Sequence, residues 1–159
     1  MALQIRPAVA SDAAQIIRFI ADLAAYEKLS HEANATEADI VRDLFGDNPK
    51  VFCEIAEWDG QPVGFTLWFY TYSTFQGRAG IWLEDLYVDL SLRGKGVGKA
   101  LLVNLARRCV AESLGRFEWW VLDWNTPSID FYKSQGGVMQ DEWTKVRVDG
   151  DALLKLGAA

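Results

Sequence analysis

Residues 88–99 have the composition of an anion-binding loop. They are predicted to form the end of a strand, a loop with glycines at 94, 96 and 98, and the start of a helix. Glycines let the backbone approach a ligand closely, and a helix N-terminus directs N–H groups and a positive dipole end towards it. The segment therefore predicts a pyrophosphate site, with charge added at its mouth by Arg93, Lys95 and Lys99.

Two commoner phosphate-binding loops do not match this segment. A Walker loop needs a hydroxyl residue after its lysine, but Lys99 is followed by Ala100. The glycines are spaced GxGxG rather than GxGxxG, and no acid clearly ends the next predicted strand to hold a ribose. A nicotinamide-dependent oxidoreductase therefore ranks low. From the loop alone, a simple turn that caps a helix remains an alternative.

Two adjacent acids and one tyrosine are the other residues suited to chemistry. Glu84 and Asp85 lie on the predicted strand before the loop, where one carboxylate can accept a proton and its neighbour can hold a cation. A solvated carboxylate beside an ordinary salt bridge is the alternative. The hydroxyl of Tyr132, on a short predicted helix, can donate a proton, although such a ring can equally pack in a core.

The overall composition excludes several classes of function. The formal net charge of −6 disfavours nucleic acid and weakly favours a cationic ligand. With one histidine, His31, and two cysteines outside any CxxC pair, we expect neither a metal site nor a disulfide framework. The sequence has no apolar run of about 20 residues and no signal-peptide pattern, so we expect a cytoplasmic protein without membrane association.

Hydrophobic periodicity and turn signals predict the order β-α-α-β-β-β-α-β-α-β(β). The front half is an antiparallel arrangement with a tight hairpin at Asp59-Gly60, and the back half contains one βαβ crossover. We therefore predict one α/β domain over residues 1–159, with a mixed, mostly antiparallel sheet and flanking helices. The predicted strands cover residues 3–6, 51–58, 63–72, 81–88, 117–122 and 139–148, and the helices cover residues 12–28, 36–46, 98–114 and 127–134.

The loop Arg93-Gly-Lys-Gly-Val-Gly98 resembles the (Q/R)xxGxG/A loop of the GNAT acetyltransferases. The resemblance covers nearly the whole chain and is closest to the diamine (spermidine/spermine) and thialysine acetyltransferases. It implies the GNAT fold and transfer of an acetyl group from acetyl-CoA directly to a small primary amine (a polyamine, diamine or thialysine-like amino acid) in a ternary complex, without a metal. The other segments that carry it are IRPA at 5–8, YEKLS at 26–30, FGDNP at 45–49, LED at 83–85, VLDWN at 121–125 and FYK at 131–133.

The same resemblance assigns roles to particular residues. It implies Glu84 as the proton acceptor and Tyr132 as the acid that protonates the departing thiolate. It also implies a strand bulge where residues 86–88 present amides to the acetyl group and the pantetheine arm. The implied acetyl-CoA-binding residues are Leu86, Tyr87, Val88, Arg93, Gly94, Lys95, Gly96, Val97, Gly98, Lys99, Asn125 and Ser128; the predicted amine-binding residues are Tyr26, Glu27, Glu84, Asp85, Trp119 (or Trp120, on the other face of a predicted strand) and Asp141 (or Glu142).

Other readings stay open at this point. The acceptor can instead be a protein lysine or an N-terminal amine. A non-catalytic acyl-CoA-binding module would keep the loop but would need neither Glu84 nor Tyr132. The relatives in this branch also lead us to expect a homodimer.

Overall fold

A computed structural model describes residues 2–159 as a five-stranded sheet with five helices. Three single-turn 3₁₀ helices lie in the connections. The strands are β1 (Leu3–Pro7), β2 (Phe52–Trp58), β3 (Gln61–Ser73), β4 (Arg78–Val88) and β5 (Phe117–Glu118), and the helices are α1 (Ala13–Tyr26), α2 (Glu37–Phe45), α3 (Val97–Ala111), α4 (Thr126–Ser134) and α5 (Gly150–Gly157).

The chain divides into two compact units. The first runs up to Trp120 and holds the sheet with α1, α2 and α3, and the second, Val121–Ala159, holds α4 and α5. The single domain over residues 1–159 stays a prediction. Among the described helices, none is both long and apolar enough to cross a membrane, and the cytoplasmic location also stays a prediction.

The sheet has the strand order β1-β2-β3-β4-β5. The first four strands are antiparallel, whereas β5 runs parallel to β4 after the α3 crossover, which confirms the predicted mixed α/β architecture. The β2–β3 hairpin turns at Asp59 and Gly60, with φ of 50° and 80°. Two successive positive φ angles are typical of a type I′ turn, whose twist matches that of the flanking strands.

Each face of this sheet is covered by its own helices. On one face, α1 and α2 pack buried side chains such as Ile16, Phe19 and Leu44 against the sheet. On the other, Val97 and Leu101 of α3 pack against residues of β2, β3 and β4. A reciprocal cap closes the N-terminus of α2, because Thr36 and Asp39 each bond the other's backbone N–H.

Three element predictions are wrong. Strand β5 ends at Glu118 instead of continuing to residue 122. Residues 138–148 form neither helix nor strand, and α5, which was not predicted, follows them. Helix α3 stops at Ala111, short of the predicted end at Leu114, because Ser113 takes a left-handed conformation with φ of 56°.

Candidate active site

A β-bulge in β4 lies at Glu84. Leu67 of β3 pairs with Asp85 and Trp68 pairs with Leu83, so Glu84 is an extra residue with no partner of its own in the ladder. In a regular strand, adjacent side chains point to opposite faces. A bulge interrupts that alternation and re-aims the neighbouring side chains. The resemblance placed the bulge at residues 86–88, but these three residues pair regularly with β3. The bulge lies at Glu84, two residues earlier.

The bulge brings both adjacent acids close to a third. Burial, together with the carboxylates of Glu84 and Glu27, raises the pKa of Asp85 to about 7. Glu27 is the half-buried C-cap residue of α1. Burial raises its pKa as well, and the carboxylate of Glu84 adds to this shift. Like charges that share a site disfavour ionisation of one another. Glu27, Glu84 and Asp85 therefore form one acidic cluster.

The acids of this cluster differ in exposure and partners. Glu84 is exposed, and its carboxylate accepts a hydrogen bond from the indole N–H of Trp82 at 2.9 Å. Asp85 is half-buried, and every charge that shifts its pKa is negative. The alternative of ordinary salt bridges therefore does not describe Asp85, whose carboxylate lies where a cation would be stabilised.

The glycine loop next to β4 has the backbone that its sequence predicted. Gly94 and Gly96 have φ of 76° and 85°, a region that other residues rarely adopt, and a Cβ on either would meet no atom within 4 Å. Gly96 is also the N-cap of α3 and provides no side-chain acceptor for its first amides. Those amides have no partners within the helix, so this cradle fits a pyrophosphate group.

Two basic side chains of the loop contact aromatic rings. The guanidinium of Arg93 lies 4.5 Å from the centre of the Tyr26 ring and 5.7 Å from that of Tyr87, while its Nε donates to the carbonyl of Val88 at 3.1 Å. The ammonium of Lys95 lies 5.6 Å from the ring centre of Trp58. Arg93 therefore links the loop to the residue before Glu27, a role that sequence reasoning missed.

The edge of β4 that faces away from β3 exposes backbone donors beyond Trp82. Within the described chain, β5 pairs with β4 only at Ile81 and Trp82. The N–H of Asp89 donates to Val63 in β3 at 2.7 Å. Because backbone groups alternate in direction along a strand, the N–H groups of Val88 and Leu86 point to the other edge. This agrees with their predicted role as donors to an acyl group.

The second unit holds the remaining predicted site residues. Asn125 is buried, and its side chain caps α4 by accepting from the amide of Ser128 at 3.4 Å. Tyr132 lies in α4 with its ring centre 5.6 Å from that of Phe131. Asp141 is exposed in a turn, where Trp143 N–H donates to Gln140. The proposed roles of Asn125, Ser128, Tyr132 and Asp141 stay predictions.

Comparisons with known proteins agree with this geometry. Residues 16–136 match the model of the acetyltransferase (GNAT) family. The chain is 36% identical to the thialysine N-epsilon-acetyltransferase of Sus scrofa over 96% of its own length and 95% of that protein. It is also 34% identical to the spermidine/spermine N(1)-acetyltransferase-like protein 1 of Homo sapiens, over 96% of this chain and 23% of that protein.

The chain belongs to the GNAT acetyltransferase family. It is therefore an acyl-transferring enzyme. An integron cassette protein from the mobile metagenome of V. cholerae has the same fold, with a TM-score of 0.84 at 24% identity, covering 100% of this chain and 99% of that one. Members of the family use acetyl-CoA as co-substrate, and the described residues contain no group of side chains that could hold a metal ion.

In this GNAT enzyme, Trp119 and Trp120 lie just after β5 rather than inside a strand, and which of them binds the amine stays a prediction. Because β5 ends at Glu118, the alternation of a strand does not extend to them. Trp119 is half-buried with its ring centre 4.8 Å from that of Phe117, whereas Trp120 is exposed, 5.5 Å from the ring of Trp82. Trp120 is therefore the one that contacts Trp82, whose indole N–H bonds Glu84. Sequence reasoning missed Trp82, although its position two residues before Glu84 on one strand was a usable signal.

Proposed function

We propose that this enzyme transfers the acetyl group of acetyl-CoA to a small cationic primary amine. The observation that carries the proposal is the acidic cluster of Glu27, Glu84 and Asp85, assembled by the bulge in β4. An alkyl ammonium would offset its uncompensated negative charge. The names of the relatives, which act on thialysine or resemble polyamine acetyltransferases, support the same class of acceptor.

The surroundings of Glu84 and Asp85 support roles opposite to those expected from the sequence, which made Glu84 the proton acceptor. The pKa of Asp85 is raised to about 7, so Asp85 is the better proton acceptor near neutral pH. Glu84 is exposed and held by Trp82, so it is better placed to attract the ammonium before it loses its proton. We therefore assign proton acceptance to Asp85 and capture of the cation to Glu84 and Glu27.

The glycine loop and the edge of β4 are proposed to hold acetyl-CoA, which supplies the acetyl group as an activated thioester. The amides that begin α3 would bind the pyrophosphate. The outward N–H groups of Leu86 and Val88 would align the acyl chain and stabilise the negative charge that develops on the attacked carbonyl oxygen. No residue of the protein needs to become acylated, because orientation of both substrates supplies much of the rate.

Tyr132 is proposed to protonate the departing thiolate, a role that rests on the family motif. Tyr132→Phe should lower kcat by roughly 10²-fold while acetyl-CoA binding, measured by calorimetry, stays within about twofold. Unchanged turnover would remove Tyr132 from the mechanism. A loss of acetyl-CoA affinity with normal kcat would make it a packing residue.

The decisive experiment for the proposed function is an acceptor panel with acetyl-CoA, followed by thiol release. It should contain a diamine, spermidine, thialysine, lysine, ornithine, a neutral amine and a lysine-containing peptide. Transfer to the small cationic amines well above transfer to the peptide supports the proposal. Preference for the peptide would favour a protein acetyltransferase instead. Tight binding of CoA without any transfer would favour the non-catalytic binding module.

We also propose that the enzyme forms a homodimer. Apolar side chains are exposed along the C-terminal part of the chain, including Val138, Trp143 and Val146, which are 76%, 79% and 85% exposed. Such exposure is typical of surfaces that a partner covers. Light scattering should give twice the chain mass of 17.8 kDa. A monomer at working concentration would contradict this proposal and leave the chemistry unaffected.

A further inference from the structure

The indole of Trp82 bonds Glu84, and the indole of Trp120 packs against that of Trp82. Trp82 and Trp120 meet nearly at right angles, with ring centres 5.5 Å apart and an interplanar angle of 81°. Trp120 is 46% exposed although indoles carry large apolar surfaces, and Trp82 is partly exposed. The hydrogen bond from Trp82 to Glu84 fixes the carboxylate next to the rings. We call Trp82, Trp120 and Glu84 the indole subsite.

The indole subsite has the chemistry of an organic-cation site. Tryptophan faces attract ammonium groups more strongly than other aromatic rings do, and a neighbouring carboxylate adds direct charge attraction. Glu84 needs no basic partner for its position, because a neutral indole N–H holds it. An indole N–H carries no net charge, so it positions this side chain without adding a positive charge to the subsite.

The position of the subsite relative to Asp85 suits the length of a short diamine. Trp82 precedes Asp85 by three positions on β4, and one of these is the bulged residue. The two remaining strand steps span about 6–7 Å. This is about the length of three or four methylene groups with their terminal nitrogens. One ammonium at Asp85 thus leaves the other near the indole rings.

We propose that the indole subsite binds the non-reacting ammonium of a diamine or polyamine whose other amine is acetylated at Asp85. This inference rests on the proposed function and adds the residues that select the acceptor. A monoamine of equal length fills only the Asp85 side. The subsite therefore contributes to discrimination between diamines and monoamines, mainly through KM for the acceptor.

The test compares 1,3-diaminopropane with propylamine, as substrates and in equilibrium binding by calorimetry to the acetyl-CoA-free enzyme. Trp120→Leu should weaken binding of the diamine and raise its KM by about tenfold, while the values for propylamine change less than about twofold. Trp82→Phe keeps a ring but loses the N–H that holds Glu84, so it should show a smaller selective loss. Tyr72→Leu removes another exposed aromatic ring on β3 and is the matched control.

Equal losses for both amines, or no change in either, would overturn the indole subsite. Thermal unfolding of each variant shows whether it folds. If Trp120→Leu does not fold, the result for Trp82→Phe tests the indole subsite. If the wild-type enzyme transfers acetyl to neither amine, the proposed function fails. The calorimetric comparison still tests the subsite in that case, because it requires no turnover.

Discussion

Two carboxylates lie in the same sheet, but their partners differ. Glu54 is buried, and Asp85 is half-buried. Glu54 of β2 is only 4% exposed and faces α3. Its oxygens accept from Trp68 Nε1 at 2.6 Å and Thr66 Oγ1 at 3.3 Å, and Arg108 of α3 lies 3.5 Å away. Burial raises its pKa, while these donors oppose the shift.

Asp85 of β4 has no such compensation. Burial raises its pKa, and its charged neighbours in the acidic cluster raise it further. A buried charge with donors belongs to the fold, since the protein itself satisfies it. A half-buried charge surrounded by like charges lowers stability unless a ligand offsets it. The comparison indicates that side chains of the protein satisfy Glu54, whereas the charged neighbours of Asp85 are all negative, as the proposed role of Asp85 requires.

The largest expected effect separates the two carboxylates by activity. Asp85→Asn should lower kcat/KM for the acceptor by roughly 10²-fold, because the group that accepts the proton is lost. Glu54→Gln should change kcat/KM by less than about threefold, because Glu54 contacts only structural partners. Steady-state kinetics on both variants, with acetyl-CoA affinity as the control, checks this. Equal losses would contradict the division.

The pH profile sharpens the comparison further. Asp85 must be ionised to accept a proton, so below its pKa of about 7 kcat/KM should fall about tenfold per pH unit. Above that pH, kcat/KM should level off, and it should fall near pH ~10, where the free acceptor loses the positive charge that the acidic cluster attracts. Glu54→Gln should keep the whole profile. An unchanged acidic limb in Asp85→Asn would show that another group accepts the proton.

Stability should change in opposite directions in the two variants. Glu54→Gln loses charge-assisted hydrogen bonds in a buried site and should lower the free energy of unfolding by roughly 1–3 kcal/mol. The folded pKa of Asp85 lies above its ordinary value, so ionisation of Asp85 lowers stability as pH rises from about 4 to about 7.

At pH 8, Asp85→Asn should therefore raise the free energy of unfolding by an amount on the order of 1 kcal/mol or more, and the gain should vanish below about pH 4. Urea titrations at both pH values measure this difference. A variant that is destabilised at pH 8 would mean that Asp85 has structural partners comparable to those of Glu54.

The smallest expected effect is a dependence on salt. Raising ionic strength from about 0.05 M to 0.5 M should lower kcat/KM for spermidine several-fold, because screening weakens attraction between the exposed acids and the cation. A neutral amine should show less of this, and Glu84→Gln should reduce the dependence. Glu54→Gln, whose carboxylate is nearly fully buried, should keep it. Salt-insensitive kinetics in all three proteins would contradict capture of the cation by the acidic cluster.

Local sequence signals predicted most of the first unit. The dipeptide Asp59-Gly60, the Thr36–Asp39 cap and the glycines of residues 94–98 each have short-range conformational requirements. The end of the chain was not predictable in this way. Residues 139–148, which were predicted as a strand, form no strand, because strand formation depends on distant partners as well as on local composition. A helix at Gly150–Gly157 could have been found from Asp149 and the spacing of the leucines after it.

The candidate site shows the same limit at finer scale. Residue types and the family resemblance predicted roles for Glu27, Glu84 and Asp85, and the resemblance implied a bulge, but it placed that bulge at residues 86–88 and not at Glu84. A bulge depends on how two strands are aligned, and no local pattern in β4 shows it. The roles of Trp82 and Trp120 depend on the early end of β5, which is also a property of pairing.

The proposed function also depends on the number of residues in β4, because the bulge contains one residue more than regular pairing with β3 needs. Deletion of one residue there would let β3 and β4 pair without interruption, and the sheet itself would become more regular. The same deletion would send neighbouring acids to opposite sides of the strand and disperse the cluster that attracts an amine. Under the proposed function, the enzyme therefore depends on one residue that makes its sheet less regular.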